Sequence, residues 1–106
     1  MTRQKPETYY YIYVLQSEKD GHFYVGYTKN LLKRMQEHHA GKVMTTNPRR
    51  PLKLIYWEGC LNQSDALKRE KYLKTSWGKR YIKNRIQVYL TGQGCKHHND
   101  LYPRFE

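Results

Sequence analysis

The sequence predicts an α+β domain in which a small three-stranded antiparallel sheet is flanked by helices, in the order β-β-α-β-α-α. Two short runs of aromatic and β-branched residues lie on either side of a turn, a third run alternates in polarity, and helical spacing occupies the remaining stretches. An opening hairpin and only three strands argue against a doubly wound parallel fold. With 106 residues, the chain has the length of one domain.

The first two strands form a predicted hairpin. Residues 9–15 are dense in tyrosine and β-branched side chains, which favour strands, and residues 23–27 have a similar composition. Between them, Ser17–Gly21 has turn chemistry, with Asp20-Gly21 providing a left-handed position. The chain therefore opens with strand, turn and strand.

The length of the turn predicts which residues face each other. A four-residue connection over Ser17–Asp20 pairs residues whose numbers sum to a constant. Tyr13 is then expected opposite Tyr24, and Tyr11 opposite Gly26. Two phenols would stand on one face beside a glycine, although tyrosine is also an ordinary residue for a half-exposed sheet.

The first helix is predicted between residues 30 and 41. Asn30 can cap its start, and Gly41 follows its end. Residues 41–51 have the composition of a loop, and alternation over residues 52–57 predicts the third strand. The apolar positions of this helix are Leu31, Leu32, Met35 and His39.

Two further helices are predicted after the third strand. One runs from about Asp65 to Ser76, capped by Asn62 or Ser64. Gly78 is expected to separate it from a last basic helix over residues 79–89.

These elements divide the chain into three segments. We expect a polar N-terminal arm over residues 1–8, the folded domain over 9–90 and a flexible C-terminal tail over 91–106. The tail contains residue types that bind metals, but no second cluster completes a site. The residues in question are Cys95, His97, His98 and Asp100.

Charge indicates the kind of partner. Lys and Arg number 20 against 9 Asp and Glu, which gives a net charge of +11 and favours polyanions, nucleic acid before an acidic membrane. No apolar run is long enough to cross a bilayer, and the N-terminus lacks an apolar secretory segment. Cys60 and Cys95 are far apart, which is not typical of a disulfide scaffold. We therefore expect a cytoplasmic protein with no membrane partner and no small-molecule cofactor.

Glu70 is the strongest anomaly in the sequence. It falls at the centre of the predicted buried stripe of the second helix, where a carboxylate costs free energy unless a cation or hydrogen-bond donors meet it. It could form an ion pair with Arg34 or a nearby lysine, or it could hold a hard cation such as Mg²⁺. Both interpretations remain open. The stripe consists of Ala66, Leu67, Leu73 and Trp77.

Arg34 and His38 are one helical turn apart, at the border of the apolar stripe of the first helix. Each residue alone is most often a solvated or border side chain. Their position next to the hairpin makes them candidates for the same site as the paired phenols.

Cations and hydroxyls of the kind that bind phosphates occur in the loop before the third strand and in the C-terminal helices. One sign of charge dominates there, which favours polyanion binding over a solvated charged face. The candidate nucleic-acid-binding residues are Lys42, Thr45, Arg49, Arg50, Lys53, Lys68, Arg69, Lys74, Lys79 and Arg80.

In order and spacing, these residues resemble the GIY-YIG nuclease superfamily, specifically its small stand-alone, excision-nuclease-like (UPF0213-like) bacterial proteins. The resemblance covers about residues 9–86. The matching segments are Tyr11-Ile12-Tyr13, Tyr24-Val25-Gly26, Thr28-x-x-Leu31-x-x-Arg34-x-x-x-His38, Gly41-Lys42, Arg50-Pro51-x-x-Leu54-Ile55-Tyr56 and Ala66-Leu67-Lys68-Arg69-Glu70-x-x-Leu73-Lys74.

The resemblance implies a metal-dependent endonuclease that acts on DNA or structured nucleic acid. Tyr13 and Tyr24 would lie beside the scissile phosphate, where one of them helps to activate water. Arg34 would stabilise phosphate charge. His38 matches a histidine found in many members.

The resemblance also assigns the single divalent cation, Mg²⁺ or Mn²⁺, to Glu70, and it makes Asn84 a further candidate site residue. Tyr11 stands where the first tripeptide of the family signature, Tyr11-Ile12-Tyr13 in this chain, has glycine. The alternative is therefore a catalytically inactive nucleic-acid-binding module with the same fold. A basic adaptor for an acidic protein or membrane surface is a third possibility, although it would not need the signature residues.

Overall fold

The computed structural model describes residues 8–92. Three strands form one antiparallel sheet in which the first strand of the chain lies between the second and the third. This arrangement confirms the predicted α+β class. The elements are β1 (Tyr10–Ser17), β2 (Phe23–Thr28), α1 (Leu31–His39), a short 3₁₀ turn (Asn47–Arg49), β3 (Leu52–Cys60), α2 (Gln63–Leu73), α3 (Ser76–Arg85) and α4 (Gln87–Thr91).

The hairpin register differs by two residues from the predicted one. Tyr13 pairs with Gly26 and Leu15 with Tyr24, so the predicted pairing of Tyr13 with Tyr24 is wrong. Ser17 belongs to the strand, because its N–H donates to the His22 carbonyl at 2.9 Å. A shift of two preserves the face on which each side chain lies.

Tyr11 is also displaced from its predicted partner. It pairs with Thr28 on β2 and with Gly59 on β3, and not with Gly26. The turn that sets this register contains Gly21 at φ 78°, which confirms the left-handed position expected there.

The two faces of β1 pack against different helices. Ile12 and Val14 form one apolar cluster with Ala66 of α2 and Ile82 of α3. The odd-numbered residues of the strand point the other way. Tyr13 and Leu15 form a second cluster with Met35 of α1 and Leu52 of β3. The sheet therefore lies between α1 on one face and α2 with α3 on the other.

Helix α1 begins where the sequence predicts. The Asn30 side chain accepts a hydrogen bond from the Lys33 N–H at 3.0 Å. Met35 and His38 are buried, whereas Leu32 and His39 are exposed. The prediction that Leu32 and His39 belong to the apolar face was therefore wrong. They lie one position beyond Leu31 and His38, about 100° further around the helix.

Asn62 caps α2 by accepting from the Asp65 N–H at 3.1 Å, but the helix ends at Leu73. Gly78 does not separate two helices. It lies in the first turn of α3, where a Cβ would be 2.4 Å from the Leu73 Cα. Thr75 caps α3 by accepting from the Gly78 N–H at 3.1 Å.

The predicted buried stripe of α2 is correct only in part. Ala66 and Leu73 are buried, whereas Leu67 and Trp77 are exposed. Trp77 belongs to α3, so it does not continue the helical spacing of α2. The last predicted helix is divided at Ile86, after which α4 begins.

Two predicted segments, the N-terminal arm and the C-terminal tail, fall almost entirely outside the described residues. Within residues 8–92, none of the helices has the length and apolarity needed to cross a membrane.

Candidate active site

The candidate site is built around the Tyr13 hydroxyl. Tyr13 lies on the central strand, buried between the sheet and α1. Its Oη lies 2.8 Å from His38 Nε2 and accepts a hydrogen bond from Arg34 Nε at 3.3 Å. Arg34 and His38 reach the same oxygen because they are separated by one turn of α1.

His38 connects this hydroxyl to the loop that follows α1. Its Nδ1 lies 2.8 Å from Thr46 Oγ1, and both side chains are fully buried. Thr46 Oγ1 in turn is 3.5 Å from the Val43 carbonyl, to which it can donate. The hydroxyls of Tyr13 and Thr46 and both ring nitrogens of His38 are satisfied in one arrangement. His38 carries its proton on Nδ1 and accepts a hydrogen bond from the Tyr13 hydroxyl at Nε2.

Arg34 is held by a carboxylate on its own helix. Its Nη1 donates to Glu37 Oε1 at 2.9 Å, and about a third of its side chain is exposed. The guanidinium therefore bridges the buried phenol and the surface. Glu37 offers the anionic oxygen that a phosphate would also offer.

Gly26 provides the space that Tyr13 needs. A Cβ at Gly26 would lie 2.3 Å from both Cζ and Oη of Tyr13. Tyr24, two residues earlier on β2, is half-buried, with its ring centroid 6.4 Å from that of Tyr13 and 5.5 Å from that of His38. The two phenols thus share a face as expected, although they are diagonal neighbours and not direct partners.

Tyr13, Arg34, Glu37, His38 and Thr46 form one hydrogen-bonded cluster. Burial controls the protonation of its phenol and imidazole. It raises the pKa of Tyr13, and the charges of Tyr24 and Glu70 add to this effect, while the hydrogen bond from Arg34 opposes it. Burial together with the charge of Arg34 lowers the pKa of His38 to about 4. At neutral pH the phenol and the imidazole are therefore both uncharged, and Arg34 carries the positive charge.

Glu70 lies on α2, which packs against the opposite face of the sheet from α1. Its side chain is 19% exposed, and its Oε2 lies 3.2 Å from Lys74 Nζ in an ion pair. This ion pair with a nearby lysine is one of the two interpretations left open by the sequence. Among residues 8–92, Glu70 has no hydrogen bond to the cluster, and its charge reaches Tyr13 through space.

The donor set at Glu70 fits a hard cation that keeps most of its water. One carboxylate is mostly buried, and its ion pair with Lys74 is made through Oε2. Mg²⁺ is commonly held by one or two carboxylates, with waters and substrate phosphates completing its coordination. The described residues contain no group of three or more His, Cys, Asp or Glu side chains that could form an all-protein site.

A hollow of about 720 Å³ adjoins Tyr24 at the turn end of the sheet. It is lined by cations from two parts of the chain, together with Thr45. These cations are Arg49 from the loop and Lys79 and Lys83 from α3. Lys83 belongs to the C-terminal helices in which the sequence predicts phosphate-binding cations.

Several other predicted phosphate-binding residues are used within the protein. Arg69 donates to both carboxylate oxygens of Glu58 at 2.9 Å and stacks over the ring of Tyr81. Arg50 donates to the carbonyls of His39 and Asn47. These two guanidiniums hold elements together.

The remaining candidates lie at the surface. Lys42, Lys68 and Asn84 are exposed. Lys53 and Arg80 lie over the rings of Tyr89 and Trp77, respectively. Within residues 8–92, Asn84 forms no hydrogen bond with Tyr13, Arg34 or His38.

Two residues were not predicted from the sequence to belong to this cluster. Thr46 is buried against His38, and Glu37 pairs with Arg34. The spacing of Arg34 and Glu37, three residues apart on a helix, was a signal for the second. Thr46 had no comparable signal, because its partner is set by the path of the loop.

Comparisons with known proteins show the family of this chain. The family model described as "GIY-YIG catalytic domain" matches residues 9–84. A UPF0213 protein of Staphylococcus saprophyticus is 43% identical over 67 residues, 62% of this chain and 80% of that protein. A UPF0213 protein of Pediococcus acidilactici, named for its place in the ldhD 5′ region, is 38% identical over 91 residues, 80% of this chain and 92% of that protein.

A solved structure is also similar. The solution NMR structure of a UPF0213 protein from Bacillus halodurans has 25% sequence identity and a TM-score of 0.47, covering 91% of this chain and 99% of the other. The family match spans most of the chain and includes every residue of the Tyr13 cluster together with Glu70. The protein described here belongs to the GIY-YIG family, whose members are generally endonucleases.

Proposed function

We propose that this protein is a metal-dependent endonuclease that hydrolyses phosphodiester bonds in DNA or structured nucleic acid. One observation carries the proposal: His38 and Arg34 converge on the hydroxyl oxygen of Tyr13, beside Gly26. Arg34 extends from this point to the surface, where a phosphate can replace Glu37 as its partner.

Arg34 supplies the charge that phosphoryl chemistry needs. Its guanidinium can form two parallel hydrogen bonds to a phosphate and stabilise the negative charge that develops in the transition state. The hydrogen bond to Tyr13 fixes Nε, so the outer nitrogens are directed away from the buried phenol. Tyr13 thus acts as a positioning residue for Arg34.

Tyr24 is the phenol better placed to meet water. Tyr13 is fully buried, whereas Tyr24 is half-buried and lines the hollow of about 720 Å³ that contains Arg49, Lys79 and Lys83. Tyr24 can orient the attacking water by hydrogen bonding. The resemblance left open which tyrosine has this role, and exposure favours Tyr24.

Glu70 would hold the divalent cation, Mg²⁺ or Mn²⁺. Such an ion, when bound, polarises the phosphate and stabilises the leaving oxygen. The carboxylate suits this role because it is mostly buried and its charge reaches Tyr13 through space. Lys74 balances its charge when the ion is absent.

The experiment compares cleavage and binding of labelled linear and branched DNA, with Mg²⁺, with Mn²⁺ and in EDTA. Glu70→Gln and Arg34→Ala should lose cleavage by about 10²-fold or more, the scale of a lost charge-stabilising group. Binding in EDTA should persist. Glu18→Gln, the same exchange at an exposed turn position, is the matched control and should cleave like the wild type.

An inactive nucleic-acid-binding module is the second candidate, favoured by the complete burial of the Tyr13 hydroxyl. It predicts salt-sensitive binding that is indifferent to metal and unaffected by Glu70→Gln. A wild type that cleaves none of the substrates with either metal would overturn the nuclease proposal and leave this alternative.

A further inference from the structure

A second hollow, of about 430 Å³, adjoins the cluster at the end of the sheet away from the turn. We call it the Trp57 hollow. Tyr11 lies in it, two residues before Tyr13 and therefore on the same face of β1. Leu31, Leu54 and Trp57 form most of its remaining apolar wall.

The Trp57 hollow presents an aromatic surface to solvent. Trp57 is 51% exposed, and the Tyr11 ring meets it edge-on with centroids 5.6 Å apart and planes at 65°. This contact supports one side of the indole. Leu32, also in the hollow, is 73% exposed. Tryptophan and leucine exposed together at a concave site are typical of a ligand-binding surface.

Cations connect this surface to the candidate site. Lys29 and Asn30 line the Trp57 hollow and also a neighbouring hollow of about 250 Å³ that contains Lys33, Arg34 and Glu37. Positive charge thus lies on one side of the aromatic surface, and Arg34 lies next to it. An aromatic platform beside a cationic groove is how proteins bind single-stranded nucleic acid.

We propose that the Trp57 hollow binds one unpaired nucleobase of the substrate, stacked on the Trp57 indole, while the adjacent phosphate lies near Lys29 and Arg34. This proposal rests on the proposed function, because it assigns a substrate class to the same site. Bases within a regular duplex are stacked on one another and unavailable to the indole. The substrate is therefore single-stranded, or carries an unpaired nucleotide next to the bond that is cut.

The test measures binding in EDTA, so that it does not depend on cleavage. The probes are a thymidine oligonucleotide of about 12 residues, the same oligonucleotide with abasic sugars, and a duplex of equal length. For Trp57→Ala, the Kd for the thymidine oligonucleotide should rise about 5- to 150-fold, the value of one stacked base. Trp57→Phe should recover most of the affinity.

The abasic probe and a matched variant control this measurement. The abasic oligonucleotide should bind wild type and Trp57→Ala with equal affinity, because no base is present to stack. Trp77→Ala, the same exchange at the exposed tryptophan of α3, should change the Kd less than about two-fold, since surface substitutions away from a site have small effects.

A fluorescence experiment provides a second measurement that keeps the indole in place. The chain has two tryptophans, so Trp77→Phe leaves Trp57 as the sole indole, and its emission should be quenched by the thymidine probe but not by the abasic one. Equal quenching by both probes, or an unchanged Kd for Trp57→Ala, overturns the stacking proposal. Absence of cleavage with intact base-dependent binding overturns only the nuclease proposal.

Discussion

At Gly26 the edge strand carries no side chain, and the Tyr13 ring occupies the space that a methyl group would take. The atoms that a Cβ would meet belong to the hydroxyl end of the ring, which is fixed by His38 and Arg34. The ring therefore cannot move aside without breaking those hydrogen bonds. Gly26, in the segment Tyr24-Val25-Gly26, is therefore required for the packing of Tyr13, in the segment Tyr11-Ile12-Tyr13.

Gly26→Ala should destabilise the protein by about 1–3 kcal/mol through overpacking. Gly59→Ala is the matched control on β3, because its Cβ would lie 3.5 Å from the Tyr11 ring, an ordinary contact. Urea unfolding of both variants measures the difference. Equal stability of the two would contradict the close packing described for Tyr13.

His38 should make stability depend on pH. Its pKa is lowered from 6.5 to about 4 in the folded chain, so below pH 6.5 the unfolded chain binds a proton that the folded chain does not. The free energy of unfolding is therefore highest above pH 6.5 and falls as the pH drops toward 4. His38→Gln should reduce this slope, whereas His39→Gln, at an exposed neighbouring position, should preserve it.

At the scale of elements, the close contact between α2 and α3 depends on Gly78. A Cβ there would lie 2.2 Å from the Tyr72 carbonyl oxygen, a backbone atom that cannot rotate away. Gly78→Ala should lower the free energy of unfolding by about 1–3 kcal/mol or more, even though alanine favours helices. Lys79→Ala, at the next and exposed position, should change it by less than about 0.5 kcal/mol.

Elements set by local chemistry were predicted well from sequence. The caps at Asn30 and Asn62 lie where the sequence places them, because a cap is a contact between residues three apart. The sheet face shared by Tyr13 and Tyr24 was also correct, since a register error of two residues preserves faces.

Features that depend on tertiary contacts were not predictable in the same way. Gly78 allows close packing of α2 and α3. In the sequence, a glycine required for packing cannot be told from a glycine that separates two helices. Arg69 resembles a phosphate ligand until Glu58, on a different element, takes both of its hydrogen bonds. Thr46 is buried because of the path of a loop, and no local pattern indicates that path.

At the scale of the whole molecule, the net charge of +11 includes cations with different roles: Arg69 is held by Glu58, whereas Lys79 lines the hollow beside Tyr24. Lys79→Gln should reduce the slope of log Kd against log salt by about 0.7–0.9, the value of one released phosphate contact. Lys71→Gln, the same exchange on an exposed part of α2, should leave the slope unchanged. Fluorescence anisotropy at several salt concentrations measures both.

The cluster and its surroundings come from different halves of the chain. Every hydrogen bond of the cluster joins residues between Tyr13 and Thr46, whereas Glu70 and the lysines of α2 and α3 follow later. On the proposed function, substitutions in α2 and α3 should therefore alter which nucleic acid is bound without changing the hydrogen bonds of the cluster. Chimaeras that join the residues before Pro51 to the later strand and helices of a relative should form the same cluster. They should differ in the nucleic acid that they bind most tightly.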